Sequence, residues 1–144
     1  MTGNSRFAVS VHILAYLAYR QGAAVPSAEI AGSVSTNPVV IRRLLSALVK
    51  ARLVNTQKGA TGGFSLASTP QNISLLDIYR AVEPDPNHGL RTFTPNQKCP
   101  VGAKIETIIH GVFFKAQAGM EAELARVTLA AIDQELHSVC PGKK

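Results

Sequence analysis

The fold is decided by residues 37–66, NPVVIRRLLSALVKARLVNTQKGATGGFSL, in which an amphipathic segment runs into a glycine-rich one. Asn37 and Pro38 are typical of a helix start, because asparagine caps the first turn and proline lacks an N–H that would have no partner there. At about 100° per residue, four apolar residues share one side: Ile41, Leu44, Leu45 and Leu48. The opposite side holds Val39, Arg43, Ser46 and Lys50, with Arg42 on its flank. We predict a helix with a buried leucine face and an exposed cationic face.

The glycine-rich part of this stretch admits two interpretations. A phosphate-binding loop has its lysine after the glycines and continues into a helix, whereas Lys58 precedes the glycines here. The residues before the glycines, LVNTQ, and after them, GFSLA, both alternate apolar and polar side chains, which is typical of a half-buried β-hairpin. We therefore predict a hairpin, whose glycines permit positive φ and a close approach to another backbone.

Two helices are predicted before this stretch. The first, over residues 6–20, has apolar side chains at helical spacing and ends before Gly22. The second, over residues 27–34, has Ser27 as its expected N-cap and buries Ile30, Ala31 and Val34. Two short helices about four residues apart, followed by a hairpin, form a winged helix-turn-helix pattern, although Gly32 lies early for a tight turn.

The sequence of the second half of the chain predicts one short helix, a loop and a long helix. Ser74 and Asp77 are spaced as the cap of a helix that continues to Glu83. Residues 84–99 hold three prolines and form a loop long enough to be functional. From Pro100, apolar residues recur at three- and four-residue steps over about 30 Å of helix, and Thr128 is the expected cap of a last short helix.

The long helix, the fifth predicted in the chain and called α5, carries an apolar stripe, which we call the α5 stripe: Ile105, Ile108, Ile109, Val112, Phe113, Ala116, Met120 and Leu124. A stripe of this length often packs against its own copy in a two-fold dimer, and we expect a homodimer. The alternative is that the stripe packs on its own domain.

The charge of the 144-residue chain is unevenly distributed. Residues 1–70 hold seven Lys or Arg and one Glu, whereas residues 71–144 hold eight cations and eight anions. A basic module beside a neutral one suits a polyanionic partner, and a basic excess that only aids solubility is the alternative. Two cysteines and the lack of a long apolar run predict a cytoplasmic protein with no secretory signal and no membrane contact.

Catalysis is not predicted. The four histidines, His12, His88, His110 and His137, are scattered, and no nucleophile motif surrounds them. No spacing typical of metal ligands is present either. We therefore expect neither an enzyme nor a metal site.

The wing residues also carry a resemblance to a known family. Gly59, Gly62, Gly63, Phe64 and Leu66, followed by ISLLDI, resemble the winged helix-turn-helix regulators that include IscR, NsrR and CymR. The resemblance spans nearly the whole chain and implies a homodimeric bacterial transcription factor, usually a repressor. The implied fold is mainly α with a small β-hairpin wing. The implied division is a DNA-binding domain over residues 1–83, a loop over 84–99, and a dimerisation helix with a C-terminal helix over 100–144.

In this interpretation the third helix enters the major groove of a roughly palindromic operator by its N-terminal end. The residues expected nearest the base edges are Thr36, Asn37, Val39 and Val40, with Arg43 as the best-aimed long side chain and Arg42 on a base or a phosphate. The residues expected along the DNA backbone are Arg6, Ser27, Lys50 and Lys58, with Gly59, Thr61 and Gly62 at the wing tip. The alternative function is a winged-helix adaptor that contacts proteins and not DNA.

The cysteines depart from the pattern of cluster-binding family members, which carry three cysteines between the fourth helix and the dimerisation helix. Only Cys99 lies there, and an additional His88 does not complete the ligand set of an iron–sulfur cluster, so we expect no cofactor. The resemblance is then to the clusterless branch, which includes a hypochlorite-responsive thiol switch. Cys99 precedes Pro100, so we place it at the N-cap of the long helix, where the helix dipole lowers a thiol pKa. A redox switch that involves Cys140 is one interpretation, and two incidental thiols are the other.

Overall fold

The structure is a computed structural model that describes residues 3–83 and 94–139. In chain order its elements are α1 (Gly3–Tyr19), α2 (Ser27–Val34), α3 (Pro38–Lys50), β1 (Val54–Gln57), β2 (Gly63–Leu66), a 3-10 turn (Pro70–Asn72), α4 (Leu75–Val82), α5 (Ile105–Arg126) and α6 (Leu129–Val139). The predicted class, mainly α with a small hairpin wing, is confirmed. None of the helices in the described ranges has the length and apolar character needed to cross a membrane.

The core lies between α1, α3 and α4. Ile41, Leu44, Leu45 and Leu48 are all buried, as the spacing in α3 predicted. They pack with other fully buried side chains such as Leu14 of α1. Each such leucine contributes about 1.5–3 kcal/mol relative to an exposed position, and this burial fixes which face of α3 points outward.

The turn of the helix-turn-helix comprises residues 35–37, three residues where the sequence predicted about four. Asn37 caps α3 through its Oδ1, which accepts a 2.8 Å hydrogen bond from the Val39 N–H, and Pro38 is the first helical residue, so both predictions are confirmed. Ser27 is not the N-cap of α2, because Pro26 occupies that position without a side-chain cap. Gly32 lies inside α2, and Ser35 ends the helix in the left-handed conformation, with φ 58°.

The wing is the predicted antiparallel hairpin, paired from Val54↔Leu66 to Gln57↔Gly63. Val25, in the linker between α1 and α2, forms an isolated bridge with Phe64 on β2. The Val25 N–H donates to the Phe64 oxygen at 2.9 Å, and the Phe64 N–H donates back at 2.8 Å. This bridge, which the sequence did not predict, also holds the chain extended at Val25, so that α2 follows immediately after Pro26.

The C-terminal helices differ from prediction in where they begin and what they contact. The capping box of Ser74 and Asp77 on α4 is confirmed. The long helix begins at Ile105 and not at Pro100, because residues 100–104 form turns in which Gly102 lies close to the backbone of Asn96.

α6 packs against α1, although the sequence grouped it with the dimerisation helix. Thr128 caps α6 as predicted, with its Oγ1 accepting from the Ala131 N–H at 3.2 Å. Leu129 is fully buried, and an isolated bridge joins Thr128 to Ser74. The C-terminal helix is therefore packed on the winged-helix domain. Much of the predicted loop, including His88, lies outside the described residues, as does Cys140.

Candidate nucleic-acid interface

The outward face of α3 is cationic. Arg42, Arg43, Ser46 and Lys50 are exposed, because the leucines on the other side of the helix are buried in the core. Val39, near the N-terminal end of the helix, is 46% exposed, so its methyl groups face solvent. The surface therefore combines two arginines and a lysine with small side chains that leave room for a partner to approach.

Some residues predicted beside this face are less accessible than expected. Val40 is half-buried and packs against the core. Thr36 and Ser27 are half-buried as well. The Asn37 side chain is engaged in its cap, as shown above. Val39 and Arg43 are therefore better placed than Val40 or Asn37 to contact a partner through their side chains.

The cations of α3 and the wing differ from several other cations of the chain in whether they form ion pairs with carboxylates. Within the described ranges, no carboxylate forms an ion pair with Arg42, Arg43, Lys50 or Lys58. Arg6, by contrast, lies 3.9 Å from Glu83 at the end of α4. Arg6 is thus engaged with its own chain, whereas the cations of α3 are exposed to solvent.

α1 holds α2 through three side chains that sequence reasoning did not single out. The Tyr16 hydroxyl donates to Glu29 Oε1 at 2.7 Å, and Arg20 forms an ion pair with the same carboxylate. His12 Nε2 shares a 3.1 Å hydrogen bond with Ser33 Oγ. The signal was present, since residues 12, 16 and 20 recur every four positions and so lie on one side of a helix. These contacts position the helix-turn-helix on the core.

The wing tip presents Lys58 and Thr61, both exposed. Gly59 has φ 105°, and its oxygen accepts from the Gly62 N–H at 3.0 Å. A Cβ on Gly62 would lie 2.2 Å from the Gln57 oxygen, so the turn closes only around glycine. At Gly62 the close approach is thus to the hairpin's own backbone, and the hairpin carries Lys58 outward at its end.

A cationic helix face and a cationic wing on one core can bind a polyanion at two places. Guanidinium groups bind phosphates or the acceptor pair of guanine, and a valine methyl group suits the thymine methyl in the major groove. The N-terminus of α3 adds partial positive charge. Together the fold and this surface define a winged helix-turn-helix protein.

Comparison with known proteins gives the family. The Rrf2 profile, described as an iron-dependent transcriptional regulator, matches residues 3–135. The chain therefore belongs to the Rrf2 family of transcriptional regulators, as the wing motif indicated.

Similar proteins agree with this assignment. YwnA of Bacillus subtilis (strain 168), which its name assigns to the HTH-type transcriptional regulators, is 41% identical over 133 residues, covering 92% of this chain and 98% of YwnA. A crystal structure described as that of a DNA-binding protein is 40% identical, with a TM-score of 0.71, and covers 88% of this chain and 97% of that one. IscR of T. potens shares the fold, with a TM-score of 0.71 at 24% identity over 96% of this chain and 90% of that one.

The family description implies iron, and the ligand set of this chain does not fit an iron–sulfur cluster. Such clusters are held by about four ligands, most of them thiolates, and the whole chain has two cysteines. Within residues 3–83 and 94–139, no three His, Cys, Asp or Glu side chains are grouped as metal ligands. Cys99 is exposed and stands apart from such a group.

The predicted position of Cys99 at the N-cap of α5 is wrong, because Lys104 occupies that position. Cys99 lies instead in the preceding turn, where its carbonyl accepts from the Ala103 N–H at 2.9 Å. Hydrogen bonds from the backbone N–H groups of Gly102 and Val101 hold the pKa of the Cys99 thiol below its ordinary value. The shift of the pKa therefore has the predicted direction, and it arises from hydrogen bonds within this turn.

Proposed function

We propose that this chain is a homodimeric DNA-binding repressor of the cytoplasm, whose operator is roughly palindromic. The observation that carries the proposal is the exposed face of α3, on which Arg42 and Arg43 have no carboxylate partner among the described residues, with Lys58 displayed on the wing. The family and the similarity to a structure described as DNA-binding support DNA as the polyanion. Repression is what the resemblance to the family implies.

The exposed residues divide between reading bases and positioning the DNA backbone. Val39 and Arg43 are on the outward face of α3 and would contact base edges in the major groove. Lys50 and Lys58 would contact phosphates, which provide affinity without sequence preference. Arg6 is held by Glu83, so its contribution to DNA contact would require that 3.9 Å ion pair to open.

The α5 stripe supports the dimer. Among the described residues of α5, no side chain is fully buried, although the stripe contains two isoleucines, a valine and a phenylalanine that are all exposed. Apolar area of this kind is typically covered by a partner. A two-fold dimer would place two copies of α3 on successive major grooves of one operator.

Thiol oxidation is the proposed means of modulation. Cys99 is exposed, and its lowered pKa increases the thiolate fraction that reacts with oxidants. A peroxide or hypohalous acid would oxidise the Cys99 thiolate by two electrons to a sulfenic acid, and the thiol of Cys140 or of a small molecule would then attack that sulfur, release water and form a disulfide. DNA affinity would change with the turn that precedes α5. Equal DNA affinities of the reduced and the oxidised protein would contradict this modulation, and the proposal of DNA binding would stand.

The experiment compares Arg43→Ala with Arg126→Ala, after selection of bound DNA from a random pool. Both substitutions remove one positive charge, but Arg126 lies at the end of α5 and pairs with Glu123. Arg43→Ala should weaken binding to the selected operator by at least tenfold, because each lost base contact costs about 1–3 kcal/mol and a dimer loses two, and Arg126→Ala should not. Both variants should remain dimeric in sedimentation.

The random pool also tests the adaptor alternative. A DNA-binding protein should enrich defined sequences and bind random duplexes with an affinity that falls steeply as salt rises. An absence of both enrichment and salt-dependent binding would exclude the proposed function and favour a protein partner.

A further inference from the structure

One hydroxyl group lies inside the core where α1 meets α4. Ser10 is fully buried, whereas the other fully buried side chains of the described residues are apolar. Its Oγ has no hydrogen-bond partner within residues 3–83 and 94–139. A buried hydroxyl without a partner destabilises a fold, and nearly all buried polar groups in proteins are hydrogen-bonded to the chain or to an ordered water. Ser10 therefore calls for a partner from outside the chain.

A second buried atom of this kind lies one helical turn away. The Nε of Arg6 is buried and donates to no acceptor in the described part of the chain. Arg6 and Ser10 are four residues apart on α1, so both lie on the same side of the helix. Because helical side chains lean toward the N-terminus, the Ser10 hydroxyl lies over the turn that Arg6 begins. The two unpartnered atoms thus occupy adjacent positions on one face of α1.

That face of α1 meets the end of α4. Phe7 packs edge-on against Tyr79, with ring centroids 5.8 Å apart, and Arg6 Nη2 lies 3.9 Å from Glu83 Oε1. At about 100° per residue, Ser10 lies between Arg6 and Phe7 around the helix, so it faces the same turn of α4. The Glu83 side chain is only 9% exposed. Its carboxylate is therefore a third polar group at this place with little access to bulk solvent.

The distances and charges of these three groups select the kind of molecule that fits them. The 3.9 Å between Arg6 and Glu83 exceeds the length of an N–H···O hydrogen bond, about 2.7–3.2 Å, and such a separation suits a bridging molecule. An anion would be repelled by Glu83, and a cation would be repelled by Arg6. The occupant should therefore be neutral and able both to donate and to accept hydrogen bonds.

We infer that Arg6, Ser10 and Glu83 bind one buried water molecule between α1 and α4. The water accepts from the Arg6 Nε–H and donates to the Glu83 carboxylate and to Ser10 Oγ. Three partners are about the usual number for a water buried in a protein. Each of the three groups, which are poorly satisfied by the chain alone, thereby gains a hydrogen bond.

The water site joins the beginning of α1 to the end of α4, because Glu83 is the C-cap of α4. α4 in turn packs against α3, whose cationic face is directed away from the core. The water therefore supports, from behind, the helix that carries Arg43. The inference goes beyond the proposed function and does not depend on it, since the site is internal to one chain.

The first test is the sign of the stability change in Ser10→Ala, measured as the urea midpoint of the full-length chain. Removal of a hydroxyl that has no partner would raise the midpoint, whereas removal of one partner of a bound water leaves the other groups unsatisfied and lowers it. Ser46→Ala is the matched control, because Ser46 is exposed in the middle of α3 and its replacement gains only helix propensity. We expect a lower midpoint for Ser10→Ala and an equal or slightly higher one for Ser46→Ala.

The second test asks whether Ser10 and Arg6 act through one shared molecule. Neither Ser10 Oγ nor Arg6 Nε hydrogen-bonds to the other, so Ser10→Ala and Arg6→Met should be coupled only if something joins them. We expect the double variant to lose less stability than the sum of the two single losses. Oxygen-17 relaxation dispersion of the solvent detects long-lived buried waters, and its amplitude should fall by one water in Ser10→Ala and remain unchanged in Ser46→Ala.

Three results would overturn the inference. The first is a midpoint for Ser10→Ala that rises as much as that of Ser46→Ala or more, and the second is additive losses in the double variant. The third is an unchanged relaxation amplitude in Ser10→Ala. Should Ser10→Ala not fold, the amplitudes of wild type and Arg6→Met decide in its place, and equal amplitudes would overturn the water site. All of these measurements are made without DNA, so the proposed function stands or fails separately.

Discussion

The reactivity of Cys99 depends on two backbone N–H groups in one short turn. The hydrogen bonds from Gly102 and Val101 stabilise the thiolate, so Cys99 should be alkylated at lower pH than a free cysteine. Gly102 is glycine for a steric reason, since a Cβ there would lie 2.2 Å from the Asn96 oxygen. A side chain at position 102 would therefore open the turn and withdraw the donors.

We predict that Gly102→Ala, in a chain in which Cys140→Ser leaves Cys99 as the only thiol, moves the pH midpoint of iodoacetamide alkylation upward. The matched control is Gly111→Ala, because a Cβ at Gly111 meets no atom within 4 Å. The control should keep the parent midpoint. Equal midpoints in all three proteins would show that the turn does not set the pKa of the thiol.

The wing depends on a close backbone approach between β2 and Val25. A Cβ on Gly63 would lie 2.5 Å from the Val25 carbonyl carbon, so Gly63→Ala must separate the bridge that joins the wing to the α1–α2 linker. We expect a loss of about 1–3 kcal/mol in the free energy of unfolding, measured by urea titration. Gly32→Ala, inside α2 with open space around it, should be neutral or stabilising by up to about 1 kcal/mol. A Gly63→Ala midpoint equal to wild type would refute the steric argument.

The orientation of α2 depends on the carboxylate of Glu29, which accepts the Tyr16 hydroxyl. Tyr16→Phe removes this hydrogen bond and keeps the ring, so the fold should persist while α2 and α3 are held less firmly. We predict an operator affinity lower by about threefold or more in a fluorescence anisotropy titration. Tyr19→Phe is the control, since Tyr19 is exposed and stacks on the Tyr16 ring. Equal losses for both variants would assign the effect to something other than the hydrogen bond.

Features that depend on neighbouring residues could be predicted from the sequence, whereas contacts between distant segments could not. The Asn37 cap, the Ser74 capping box and the leucine face of α3 depend on residues within two turns of one another. Two contacts join residues that are far apart in sequence: the bridge of Val25 to β2 and the packing of α6 on α1. No periodic pattern in the sequence predicts such contacts. For the candidate site, exposure of Arg43 followed from the helix period, whereas the half-burial of Val40 depended on where the core lies.

The cations without ion-pair partners determine how strongly DNA binding by the whole protein should depend on salt. Arg6, Arg20, Arg80 and Arg126 have carboxylate partners, and the cations of α3 and the wing have none within residues 3–83 and 94–139. In a two-fold dimer each unpaired cation occurs twice, so its effect on DNA binding is doubled as well. Salt dependence can therefore report the number of copies bound to one operator.

We predict that Lys58→Ala weakens the salt dependence of DNA binding. The negative slope of log Kobs against log salt should become less steep by about 1.8, because each phosphate contact contributes about 0.9 and a dimer loses two. The measurement is an operator titration from low to moderate salt, with Lys98→Ala as the control, since Lys98 lies in the turn before α5 and not in the wing or α3. A fall of about 0.9 would indicate that one wing of the pair touches DNA. An unchanged slope would show that Lys58 does not contact a phosphate. Lys98→Ala removes the same charge, so a similar change in its slope would show that the effect comes from net charge alone.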